Sequence, residues 1–268
     1  MRRFTKICLI VAVVLGCVGL SLCITSIVLG VSWEELENTS VSWNHHTRKI
    51  VVDQGERKDF EQSFDQVESL ELEVEAGDVR IEESDKDQVV VTGRDVYPSF
   101  QCSMDGKTLK IEDKNKRYFR TGKKDSVITV EIPRELEFHK LNLHVTMGNL
   151  EVVGFQTKNM GVLCGAGSAT LEGDVLGKSE FQCGMGELIY QGGLEGDTRF
   201  ECGMGSITAD LTNRQKDFDY ELTCGMGEVQ VGDLSIGGVA GDQKISNRAG
   251  RLMKVDCGMG EVTVEFEH

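Results

Sequence analysis

Sulfur is the element with a pattern in this chain. Five near-copies of the pentapeptide Cys-Gly-Met-Gly-Glu place Cys164, Cys183, Cys202, Cys224 and Cys257 at intervals of 19, 19, 22 and 33 residues. Thiolate and thioether are soft donors that favour Cu(I) or zinc, and thiols outside the cytoplasm can oxidise to disulfides. The pattern therefore offers soft-metal, disulfide or thiol-redox chemistry. Three features argue for a plainer role. No Cys-x-x-Cys pair occurs and no histidine falls inside a repeat, so the usual zinc spacing is missing. Cysteines stacked in register on neighbouring strands would have Cβ atoms about 4.8 Å apart, wider than the ~3.8 Å usual for a disulfide. Two upstream segments carry Val74 and Val145 where the repeats carry cysteine, as expected of a small buried apolar residue. The preferred reading is a buried thiol ladder packed as hydrophobe. A soft-metal or thiol-redox sensor using the cysteine and methionine columns is the alternative.

Other chemistry is thinly represented. Four positions after the cysteine column stand Asp78, Glu187, Glu228 and Glu261, a candidate cation-binding face, interrupted by Ser168 and Ser206. Calcium is the less favoured occupant, because the period differs from that of calcium-binding β-rolls. No Gly-x-x-x-x-Gly-Lys follows the glycines, and His45, His46, His139, His144 and His268 are scattered without a His-Glu-x-x-His. A repeat presents the same residue types along an axis, whereas catalysis needs unlike groups converging on one point. The expectation is a non-enzymatic protein without a cofactor.

The register of the repeats tells which elements carry these residues. Counting from each cysteine, position minus two holds Val162, Phe181, Phe200, Leu222 and Val255; plus five holds Ala169, Leu188, Ile207, Val229 and Val262; plus seven holds Leu171, Tyr190, Ala209, Val231 and Val264. Minus three and minus one are mostly polar, as at Glu180, Gln182, Arg199, Glu201, Glu221 and Asp256. Strict alternation means strands with one buried face. Plus two, with Ala166, Met185, Met204, Met226 and Met259, is expected to face the core as well, the turn falling between plus two and plus five. Two divergent coils, from Leu70 to Ile81 and from Leu141 to Val152, keep the register without cysteine. Glycine at plus three is common to all seven coils, at Gly77, Gly148, Gly167, Gly186, Gly205, Gly227 and Gly260, whereas Glu75 and Thr146 replace it at plus one. Plus three is expected to need positive φ or close backbone approach, and plus one to be permissive. The fold class is all-β: a flattened parallel β-solenoid of coils of about 19 residues, each with two strands, neighbouring coils pairing as parallel strands.

Two excursions interrupt the coils. Gln88 to Asp113 reads as strands with a hairpin at Asp105-Gly106, and Ser235 to Gly250 as a loop. Lys114 to Lys124, with six basic residues in eleven, reads as a solvated turn. At the N-terminus, Ile7 to Val31 is 25 residues without a charge, preceded by Arg2, Arg3 and Lys6 and followed by Glu34, Glu35 and Glu37. That length spans a hydrocarbon core of about 30 Å, with the basic side cytoplasmic. The readings of a cleaved signal peptide or of lipidation at Cys17 are less favoured, because the apolar run is long and continues well past Cys17. The expected organisation is a cytoplasmic stub and transmembrane helix over residues 1–33, a juxtamembrane stalk over 34–66 and the solenoid over 67–268, outside the membrane. Without the three basic residues of the stub, 26 of the 29 basic residues face 44 acidic ones, a formal charge of −18. Nucleic acid is excluded as a partner. Besides the membrane, the expected partner is an envelope protein or a cationic peptide drawn by the rows of carboxylates.

The single span, the Ile128-Thr129-Val130-Glu131-Ile132-Pro133 strand, the Leu141-to-Val152 coil and the glycine-punctuated repeats resemble the bacterial putative-adhesin family of unknown function, common in Gram-positive envelopes. The resemblance covers roughly Val67 to the C-terminus. It implies a β-solenoid ectodomain without known catalysis, in some members linked to adhesion or envelope stress, and it transfers no functional residue.

Overall fold

The computed structural model describes residues 40–44, 49–53, 58–97, 99–113, 126–238 and 240–267. The chain divides into two compact units, Met1–Glu56 and Arg57–His268. In the first, Ser40–Asn44 and Lys49–Asp53 pair as an antiparallel hairpin. Ile7 to Val31 and Lys114 to Lys124 lie outside the described residues. Among the described residues no helix is long and apolar enough to cross a membrane. The stretch read as a stalk contributes to the larger unit: Lys58–Phe64 pairs antiparallel with Val89–Val96.

Among its described residues the larger unit is all-β apart from the 3-10 turn Gln215–Asp217. Each coil contributes one strand to each of two parallel ladders, and the alternating residues of both turn inward onto one continuous core. The first ladder runs, in space, Thr108–Asp113, Ser69–Ala76, the first half of Lys140–Thr157, the first half of Met160–Val175, Ser179–Cys183, Thr198–Cys202, Leu252–Cys257 and Asp219–Cys224. The second runs Val127–Pro133, Asp78–Ser84, the two second halves, Glu187–Gly192, Ser206–Leu211, Glu261–Phe266 and Glu228–Val231. Lys140–Thr157 and Met160–Val175 round the corner without a break, at Gly148 (φ +125°) and Gly167 (φ +142°).

The stacking order departs from chain order at both ends. Leu252–Phe266 is inserted between the coils of Cys202 and Cys224, and Ser69–Ser84 lies inside the later coil that begins at Thr108. The intervening segments explain the exchange. Phe100–Asp105 and Val89–Val96 pair antiparallel on one outermost coil, Leu234–Gly237 and Gly241–Ile245 on the other. A parallel stack leaves unpaired edges at both ends, and these strands cover them. The segment read as a loop, Ser235 to Gly250, thus contains a capping strand and the end of another. Cys102, whose neighbours echo the repeats, lies on a capping strand and not in the thiol ladder.

Alternation holds as far as the cysteine and stops there. The ladder cysteines are 1–4% exposed, but Met185, Met204, Met226 and Met259 are 54–66% exposed, so plus two points outward and not into the core. The chain begins its reversal directly after cysteine. The three residues that follow form a corner of their own, stacked by backbone bonds such as Gly184 N–H to the Cys164 carbonyl and Met185 N–H to the Gly165 carbonyl, both 2.8 Å. The plus-three glycines are required in two ways. In the coils from Ser69, Lys140 and Met160 they take positive φ. In the Cys-Gly-Met-Gly coils the reason is crowding: a Cβ on Gly205 would lie 2.1 Å from the Gly186 carbonyl oxygen. Plus one is less permissive than its sequence variation suggests, since a Cβ on Gly203 would lie 2.8 Å from the Gly184 oxygen.

Candidate functional site

The thiols form an internal column in the spatial order Cys164, Cys183, Cys202, Cys257, Cys224, each registered on the next. None of the five is joined in a disulfide. They sit beneath the corners: a Cβ on Gly260 would lie 2.7 Å from the Cys202 sulfur. Burial pushes the Cys202 thiol up to about 11 and also raises Cys257. Cys183 is the exception, held below the ordinary thiol value because Cys164 hydrogen-bonds to its sulfur, with the amides of Gly186 and Ser206 adding to the effect. The same bond raises Cys164. Cysteine faces in and methionine faces out, so the two columns do not combine into one soft-metal site. Among the described residues no cluster of three histidine, cysteine or carboxylate side chains is placed to hold a metal.

The plus-four column is aligned, but not as a continuous row of charge. Its order is Asp78, Asn149, Ser168, Glu187, Ser206, Glu261, Glu228. Asn149 donates to Asp78 and Ser168 donates to Asn149, both at 2.8 Å, so the first three positions form a hydrogen-bonded file that carries a single charge. Only Glu261 and Glu228 are charged neighbours in the column. Beside the column, Glu201 and Glu221, expected to add to the acidic surface, are paired: Arg199 bridges Glu201 at 3.4 Å and Asp256 at 3.0 Å, and Lys244 meets Glu221 at 2.7 Å.

Concavity lies elsewhere, on the outer face of the first ladder toward the Thr108 end. The minus-three and minus-one positions of five adjacent strands line a groove of about 430 Å³. Its carboxylates are Glu71, Glu73, Glu112 and Glu180, with Asn142, His144 and Gln182 among them. The depression has a simple cause. Gly161 stands between Asn142 and Glu180 in the minus-three row and places no side chain on the face. Leu163, at minus one of the same strand, supplies an apolar patch on its lining. Lys110, on the lining, is engaged by Asp105 at 2.6 Å, a bond that raises the lysine and lowers the aspartate. Sequence reading had Glu180 on an acidic face, but Glu71, Glu73, Glu112 and His144 were not joined to it. The available signal was Gly161, a lone glycine in a polar register position.

Residues 67–268 match the family described as Toastrack DUF4097, and the chain belongs to that family. No curated protein matches it. Similar solved structures include a putative cell adhesion protein from Clostridium sporogenes, at 11% identity over 79% of this chain and 100% of that one, TM-score 0.43. A putative adhesin from Bacteroides fragilis is 15% identical over 77% and 97% of the two chains, TM-score 0.34. A protein from Parabacteroides distasonis described as a putative lipid binding protein is 14% identical over 80% and 97%, TM-score 0.27.

Proposed function

We propose that this protein is a non-enzymatic binding or scaffolding module of the cell envelope, anchored through Ile7 to Val31, whose outer acidic groove takes a cationic peptide segment. The observation that carries the reading is the groove itself: a concave surface lined by Glu71, Glu73, Glu112 and Glu180, with Lys110 already engaged by Asp105, on a chain of net charge −15. Carboxylates facing one concavity raise the local concentration of cations by summing their fields. The Leu163 patch gives an apolar side chain of the peptide a place to rest. An adhesion or envelope-stress role would follow from the identity of that peptide.

Calorimetry at low salt with a lysine-rich peptide tests the site. Binding is expected to weaken strongly in Glu71→Gln/Glu73→Gln/Glu180→Gln and much less in Glu187→Gln/Glu228→Gln/Glu261→Gln. It should fade toward 0.5 M salt, where the screening length falls to about 4 Å. Equal binding by both variants and the parent would dismiss the groove. Protease applied to intact cells should digest the solenoid if the anchor has its basic end inside; complete protection would reverse the orientation.

A further inference from the structure

Four methionines stand in one row on the outside of the solenoid, in the spatial order Met185, Met204, Met259, Met226. Their order is fixed by the corner bonds: Met204 N–H to Gly184, Met259 N–H to Gly203 and Met226 N–H to Gly258, each 2.8 Å. They are 64, 55, 54 and 66% exposed, the only large apolar side chains above half exposure among the described residues. Burial cannot account for them, because they bury little. Nor does the corner require them, since Ala76 and Ala166 serve at the same position in two other coils; Met147, in the coil between those two, is half-buried and separated from the row by Ala166. What four thioethers supply that alanine does not is a file of soft, uncharged sulfur donors.

The spacing suits such donors. Stacked coils repeat about every 4.8 Å. Two metal–sulfur bonds of about 2.3 Å each reach across roughly 4.6 Å when an ion sits in line between the sulfurs. Thioethers select Cu(I) over harder divalent ions. Glu187, Glu261 and Glu228, two residues beyond Met185, Met259 and Met226, add negative potential along three of the four coils. The ladder thiols, which would otherwise compete for a soft ion, lie inside the corners and are 1–4% exposed.

We infer that the row Met185, Met204, Met259, Met226 is a binding site for monovalent soft metal ions, Cu(I) or Ag(I), each held between thioethers of adjacent coils. The ion keeps its oxidation state, so binding involves no electron transfer. This site is separate from the acidic groove and does not depend on it.

The test is an Ag(I) titration of full-length protein labelled with carbon-13 at its methionine methyl groups, followed by NMR. The methyls of Met185, Met204, Met259 and Met226 should shift together, while those of buried Met160 and Met253 stay in place and report an intact fold. Met259→Leu keeps the apolar shape and removes one sulfur. It should weaken the response of both Met204 and Met226 by about tenfold and leave Met185 the least affected. Met226→Leu should weaken Met259 alone. Silver taken up without methyl shifts, meaning capture by thiols, would overturn the inference. So would four methyls that respond independently of one another's sulfur.

Discussion

Replacing Gly205 by alanine tests the corner geometry with a single methyl group. The new Cβ would sit 2.1 Å from the Gly186 oxygen and 3.0 Å from the Cys183 sulfur, against an ordinary contact that begins near 3.4 Å. Separation must grow by about 1.3 Å, and the obstacle is backbone, which cannot rotate away. The displaced Gly186 oxygen accepts Ser206 N–H at 3.0 Å, so a ladder bond is strained or lost, at about 1 kcal/mol. Overpacking a tight site adds about 1–3 kcal/mol. Together the expected loss is about 3 kcal/mol, or roughly 6–12 °C in Tm for a domain of this size. At Gly203 the same calculation asks for a shift of only about 0.6 Å, and the expected loss is about 1 kcal/mol. Gly237, whose Cβ would meet nothing closer than 3.7 Å, is the control and should change by less than about 0.5 kcal/mol. Urea titrations of the three variants measure the differences. Equal losses at Gly203 and Gly205 would refute the assignment of crowding to plus three.

Three further outcomes follow from the interior and from the strand order. Cys202→Ala should cost about 1–2 kcal/mol as a packing loss, and chelators should leave the melting curve unchanged; zinc or copper retained at the ladder thiols would contradict this. Stability should fall as pH rises from about 8.5 to 11. Cys202 is pushed up to about 11, and burial raises Tyr190 and Tyr220, so these groups keep their protons when folded. The unfolded chain loses the same protons from about pH 8.5 upward and binds fewer of them there, which makes the slope negative. A urea midpoint that is flat over that range would show these side chains to be solvated. Ending the chain before Leu252 should strip hydrogen-exchange protection from the Gly225 amide, which donates to the Cys257 carbonyl at 2.8 Å, and leave Ser179–Cys183 protected. Retained protection at Gly225 would mean the coils had restacked in chain order.

The strands were legible because Val162, Cys164, Ala169 and Leu171 and their counterparts follow a period of two that only a one-sided strand satisfies. The corner was misread because Met185 and its counterparts continue the parity of the cysteine and are apolar. Residue type said inside, whereas the reversal that starts at Gly184 turns them out. The exchanged order was not legible, since the coils of Cys224 and Cys257 present equivalent faces to Cys202 and the repeat cannot choose between them. Tertiary contacts choose. The Asp219 carboxylate accepts the amides of Asn247 at 2.6 Å and Arg248 at 2.9 Å, fixing the return loop that feeds Leu252 into the gap. The coil built from Leu109, Ile111, Ile128 and Val130 escaped notice because a long basic insertion separates its two strands. The groove escaped it because five strands distant in sequence contribute to it.

Amide chemical-shift mapping of the lysine-rich peptide on the full chain tests the central claim most directly. Perturbations are predicted to center on Glu71–Glu73, Asn142–His144, Gly161–Leu163 and Glu180–Gln182 and to vanish at high salt. Perturbations confined to the Glu187, Glu261 and Glu228 edge, or none at low salt, would contradict it.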